Sequence, residues 1–183
     1  MILWIDLETT GLDPMNDEIV EVGWFVSDNW EWLTKPQSAV ASITNDGWEL
    51  LKQQPVNKMH TDNGLIEELK GDTLLIEDIE DQILDDLRPL QAKTPDEPVI
   101  LGGASVHFDR AFIANYMPRL DRELSHRHFD VSTLRMFFDE MGYADLSERN
   151  TESAHRALPD IKASYDLARK YVNLLNILEE DYA

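Results

Sequence analysis

Residues 2–28 read ILWIDLETTGLDPMNDEIVEVGWFVSD, and the order of residue types along them decides the fold class. ILWIDL (2–7) is a short apolar run interrupted by an acid, the pattern of a buried strand. GLDPMND (11–17) gathers Gly, Pro, Asn and Asp, so the chain turns there. IVEVGWFVSD (19–28) alternates and is rich in Val and aromatic residues, which predicts a second strand. Two more short strands are expected within 30–45, making an antiparallel meander at the N-terminus.

Helices follow outward from this start. A short helix is expected over 57–69. In 74–90, Ile76, Ile79, Ile83, Leu87 and Leu90 recur at helical spacing, with acids on the other face. AKTPDEP (92–98) is a polar linker and VILGG (99–103) a strand ending in glycines. HFDRAFIANYM (107–117) reads as a helix stopped by Pro118. DVSTLRMFFDEMG (130–142) reads as a helix with Ser132 as its cap and Gly142 as its stop. The last helix runs from near 155 to near 178, because Pro159 fits only in a first turn. Its buried stripe is Ile161, Ala168, Tyr171, Val172, Leu175 and Leu178. Strands first, then strands alternating with helices, predict an α/β domain built on a mixed sheet.

The 183 residues suit one domain, 1–183, with a sizeable core. There is no cysteine, so disulfides and thiolate metal sites are excluded. No apolar run reaches the length of a bilayer span and the start lacks a basic leader, so no membrane association and a cytoplasmic location are expected. The net charge of −20 makes a field that repels polyanions and disfavours capture of long duplexes. A simpler reading of the same charge is solubility. The acidic helix 74–90 and the tail EEDYA (179–183) read as solvated surface.

Asp6 and Glu8 stand two apart in an apolar strand, so both carboxylates share one face while Ile5 and Leu7 take the other. Two like charges buried side by side are costly unless a cation compensates them. Hard oxygen donors without cysteine point to Mg²⁺ or Mn²⁺. Asp109 and Asp160 each fall in the first turn of an expected helix, where an acid can also serve only to complement the helix dipole. His155 lies five residues before Asp160, and a neutral imidazole there is a candidate general base.

Asp-x-Glu in the first strand, Asp in FDRAF, and HRALPD near the C-terminus together resemble the three motifs of the DEDD exonucleases in their histidine-containing branch. Within that branch WIDLETTGLDP (4–14), HTDNGL (60–65), YMP (116–118) and DVSTL (130–134) are similar to oligoribonucleases, over nearly the whole chain. The resemblance implies a ribonuclease H-like fold. It implies two divalent metal ions held by Asp6, Glu8, Asp109 and Asp160, with His155 as general base. It also implies that Leu12 wedges beside the terminal bases and that Ser105 and His60 contact phosphate or sugar; a core plug for Leu12 and a helix cap for His60 are the plain alternatives. Phosphodiester hydrolysis needs a hydroxide, in-line attack and a neutralised leaving oxygen, which metal ions on a carboxylate cage supply.

The implied activity is 3′-to-5′ hydrolysis of short single-stranded RNA, with DNA as a second substrate, releasing nucleoside 5′-monophosphates. The family works as a homodimer in which a Tyr is lent across the interface; this chain has His126 at that place. It also has Ala104 where Asn is usual, and Pro55 where a Trp is. A single-stranded DNA exonuclease of the proofreading kind and, far behind, a non-catalytic acidic mimic of nucleic acid are the competing readings.

Overall fold

The computed structural model describes residues 1–143 and 154–181, with side chains described as far as Asn176. Its centre is β1 (Ile2–Thr9), which pairs antiparallel with β2 (Ile19–Asp28) on one side and parallel with β5 (Val99–Gly103) on the other. β6 (Leu124–Asp130) extends the sheet in parallel beyond β5. β3 (Glu31–Trp32) and β4 (Gln37–Val40) both pair with β2, completing six strands among the described residues. The expected meander is therefore altered. β3 and β4 are two pieces of one interrupted edge strand, and Pro36, which has no N–H to give to a ladder, lies in the break.

Alternation along β1 sorts the two layers. Leu3, Ile5 and Leu7 join Val22, Trp24 and Val26 of β2 in one core. That core is closed by Ile79, Ile83, Leu84 and Leu87 of α4 (Ile76–Gln91) and by Phe112 and Ile113 of α5 (His107–Tyr116). Trp4 and Phe25 point the other way, against Ile161, Tyr165 and Ala168 of the last helix. Opposite Asp6 on β2 stands Gly23. A Cβ there would lie 2.6 Å from the backbone of Ala157, so only glycine lets the start of the last helix rest directly on the sheet.

Several expectations are corrected. The helix of 57–69 is two pieces, α2 (Val56–Asp62) and α3 (Leu65–Glu68), divided at Gly64, whose φ of +84° no helix interior accepts. A short α1 (Asn45–Leu50), capped by Thr44, precedes them unpredicted. α6 (Pro118–Glu123) begins on the proline that ends α5, and β6 follows at once. LSHRHFD has no strand signature, being polar and half exposed at the sheet edge. Arg110 spans its junction with α6, donating to the carbonyls of Ser125 in β6 and Asp121 in α6, each at 3.1 Å.

Because β6 runs to Asp130, the cap of α7 (Val131–Glu140) is Asp130 and not Ser132. The Asp130 carboxylate accepts from the Ser132 N–H at 2.8 Å. In α4 the acid face is broken by Glu80, buried and bound to the backbone N–H and the guanidinium of Arg119. α8 (Ala157–Asp181) contains Pro159 in its first turn as expected. Ile161, Ala168 and Tyr171 are buried, but Leu175 is exposed and Tyr165 takes a central place. Tyr171 stacks on Phe138 of α7, ring centroids 4.4 Å apart. Leu178 and the tail 179–183 lie outside the described side chains.

Candidate active site

Asp6 and Glu8 share the Trp4 face of β1, and the first turn of α8 lowers Asp160 onto them. One carboxylate oxygen from each of the three lies within 4.8 Å of the others. The close approach rests on Gly23, directly beneath Ala157 and Leu158. Asp109 arrives from the opposite layer. Pairing of β1 with β5 ends at Trp4 and Gly102, so farther along β1 the Leu7 N–H has no strand partner on that side. It donates instead to Asp109 Oδ1 at 3.0 Å, which fixes this buried carboxylate behind the other three.

The electrostatics follow from burial and crowding. Burial first, then the charges of Asp109, Glu8 and Asp160, hold the Asp6 carboxyl well above the usual carboxylate range. Glu8 is pushed up to about 8 by burial and then by Asp160 and Glu21, with Arg156 pulling it down. Asp109 rises to about 7 through burial, against the lowering effect of the Leu7 N–H. Three crowded hard-oxygen donors, with the Asp109 charge acting on Asp6 and Glu8, fit a divalent cation, which would lower these raised values again.

That repulsion has a measurable consequence. Glu8, about 8 against an ordinary 4.5, and Asp109, about 7 against 3.8, bind protons more tightly folded than unfolded. Their ionisation costs nothing below about pH 4 and destabilises the fold increasingly as pH rises towards 8. In chelator, the melting temperature is expected to fall between pH 5 and pH 8, with Mg²⁺ or Mn²⁺ recovering more at pH 8 than at pH 5. A cation effect that is the same at both pH values would contradict this electrostatic account.

His155 precedes α8 at a φ of +49° and its side chain faces solvent. Asp160 Oδ1 accepts from the Ala154 N–H at 3.2 Å, tying this segment to the carboxylate cluster. The His155 carbonyl accepts from Asn63 Nδ2, at the end of α2. A cavity of about 530 Å³ opens here, lined by Pro55, Lys58, Met59, Asp62, Asn63, Ala154 and His155.

Leu12 is 82% exposed, which removes the core-plug alternative. Its loop is stiff: Asp17 binds the Asp13 N–H at 2.9 Å and the Thr10 hydroxyl at 3.1 Å, and Tyr116 donates to the Asp17 carbonyl at 2.8 Å. Ser105, exposed at φ +58°, donates its N–H to Asp130 and shares a 3.1 Å hydroxyl contact with Ser132. His60 departs from expectation. It is fully buried, with Nε2 3.0 Å from the Thr9 carbonyl at the end of β1, and Nδ1 has no hydrogen-bond partner among the described residues. Pro55 lines the cavity, and His126 is exposed on β6.

Two residues beside the cluster were not among the expected site residues. Glu21, buried and paired across the sheet with Glu8, receives both Arg156 and the Ala157 N–H. The alternation of IVEVG carries the signal for Glu21, since it puts an acid on a strand that is otherwise apolar. Nothing in the spacing of HRALPD distinguishes Arg156 from a surface arginine.

Comparison with known proteins gives the family. Residues 3–168 match a family model described as Exonuclease, of the RNase T type. An oligoribonuclease of Actinobacillus pleuropneumoniae is 34% identical over 171 residues, covering 93% of this chain and 91% of that one. The chain belongs to the oligoribonuclease family of exonucleases. Another member, from Coxiella burnetii, is 32% identical over 96% of this chain and 95% of its own.

Among solved structures, exonuclease I of E. coli in a complex with single-stranded DNA superposes with a TM-score of 0.66 at 17% identity. Exonuclease I of Methylocaldum szegediense gives 0.61 at 18%. This chain covers 99% and 92% of itself in these matches but only 42% and 39% of those longer chains, so the likeness is one of fold. The ribonuclease H-like mixed sheet expected of an oligoribonuclease relative is the fold found. Among the described residues, no helix is long and apolar enough to cross a membrane.

Proposed function

We propose that this member of the oligoribonuclease family is a 3′-to-5′ exonuclease that hydrolyses short single-stranded oligonucleotides to nucleoside 5′-monophosphates. The observation that carries the reading is the meeting of Asp6, Glu8 and Asp160 within 4.8 Å, from two elements far apart in the chain, with Asp109 behind them. Family membership supports the same chemistry.

In this reading Asp6, Glu8, Asp109 and Asp160 hold two divalent ions, Mg²⁺ or Mn²⁺. When bound there, such ions would lower the pKa of water and would offset charge on the phosphate and the leaving oxygen. The chain's own residues do the rest. His155, on the segment that Asp160 holds through the Ala154 N–H, takes the proton from the attacking water. Leu12, displayed on its stiff loop, packs against the terminal bases. Ser105 offers its hydroxyl to phosphate or sugar, steadied by Ser132 and Asp130. His60, buried beside the end of β1, supports that strand through its contact with the Thr9 carbonyl. The net charge of −20 favours short substrates, because each added phosphate enters an adverse field.

The test is digestion of 5′-labelled RNA and DNA oligomers, from two to about thirty nucleotides, with Mg²⁺ and with Mn²⁺. A ladder shortening from the 3′ end, fastest on the shortest RNA, is expected. Internal cleavage, or turnover that persists in chelator, would refute the proposal. DNA cleaved faster than matched RNA would move the substrate class to single-stranded DNA.

A further inference from the structure

We infer that Arg156 is a positioning residue for His155, clamping the start of α8 to β2 and α3 so that the imidazole is carried at a fixed place on the segment bound to Asp160. This rests on the exonuclease reading for its consequence in catalysis, but not for the clamp itself. The guanidinium grips two carboxylates at once. Nε and Nη2 donate to Glu21, each at 3.0 Å, and Nη1 and Nη2 donate to Glu68 at 2.8 and 2.7 Å. The remaining Nη1 hydrogen points to the Asn63 carbonyl at 3.5 Å. Asn63 in turn donates its side-chain amide to the His155 carbonyl, so His155 and Arg156 are fastened to the same corner between α2 and α3.

Each partner adds something different. Glu21 is 1% exposed on β2 opposite Glu8, and it also accepts the Ala157 N–H at 3.0 Å, so it sets the height of α8 above the sheet. Glu68 and Asn63 set its azimuth from the side. His155 itself sits in a left-handed conformation that a non-glycine residue keeps only when its surroundings impose it. Charge neutralisation of Glu21 is a second duty that any cation could meet. A planar fork serving two carboxylates is a duty that only arginine meets.

The experiment separates these duties. Arg156→Lys keeps the charge and removes the fork. It is expected to lower kcat about a hundredfold at unchanged KM, the scale set by a small misplacement of a reacting group. In a His155→Ala background the same change should matter less than about twofold, because the residue through which Arg156 acts is already gone. Equal losses in both backgrounds would assign Arg156 to the fold in general and overturn the inference.

Glu68→Gln releases one arm while Glu21 stays paired, so it serves if Arg156→Lys does not fold. It should lower kcat by about threefold to tenfold at unchanged KM. A readout independent of turnover accompanies both. The imidazole NMR signal of His155, identified by its loss in His155→Ala, should shift in Arg156→Lys and Glu68→Gln. An unmoved signal overturns the clamp. A moved signal in a chain that leaves every oligomer intact supports the clamp and refutes the exonuclease reading instead.

Discussion

Asp6→Asn is expected to reduce turnover by roughly four orders of magnitude, the scale at which a catalytic set loses a member it cannot replace. Asp6 stands at the centre of the acids: Asp109, Glu8 and Asp160 all act on its carboxyl. A neutral amide of the same shape keeps the packing and gives up the charge that a cation requires. The variant should therefore fold. In chelator at pH 8 it should melt above the parent protein, because one repelling charge has left a crowded site. Added Mg²⁺ or Mn²⁺ should then stabilise it less than the parent. Melting curves with and without cation, beside the oligonucleotide assay, check both halves. Full activity in Asp6→Asn would remove the basis for the proposed function.

His155→Ala is expected to lower turnover by about 10²- to 10⁴-fold, the usual contribution of a positioned general base. Its signature differs from that of Asp6→Asn. The side chain faces solvent, so stability should change by less than about 0.5 kcal/mol, and the cation-dependent rise in melting temperature should persist. Added imidazole should restore part of the lost rate by supplying the missing base from solution. A variant that retains its rate would leave the carboxylates as a metal site and deprive His155 of its assigned part.

The sequence carried the site further than it carried the fold around it. The shared face of Asp6 and Glu8 was legible because a strand has a period of two, and that arithmetic needs no neighbour. Pro159 located the first turn of α8 for a similarly local reason. β6 was not legible, since LSHRHFD is held in the sheet by β5 beside it and by Arg110 above it, and neither is encoded in its own pattern. That omission also moved the cap of α7 by two residues. The missed break at Gly64 was a turn signal outweighed by the helical spacing around it.

Local chemistry alone thus specified which residues carry charge, which faces they take along β1, and where the helices bearing Asp109 and Asp160 begin. Only the tertiary structure decided what those acids meet. Glycine at position 23 lets α8 touch the sheet, the end of the β1–β5 ladder frees the Leu7 N–H for Asp109, and Glu21 with Arg156 fixes the segment that bears His155. The same packing buried His60, whose burial nothing in HTDNGL announces. The physical reason is that strand and helix periods are properties of neighbouring residues. Burial, close approach and ion pairing depend on segments separated by tens of residues to more than a hundred, and these come together only when the chain folds.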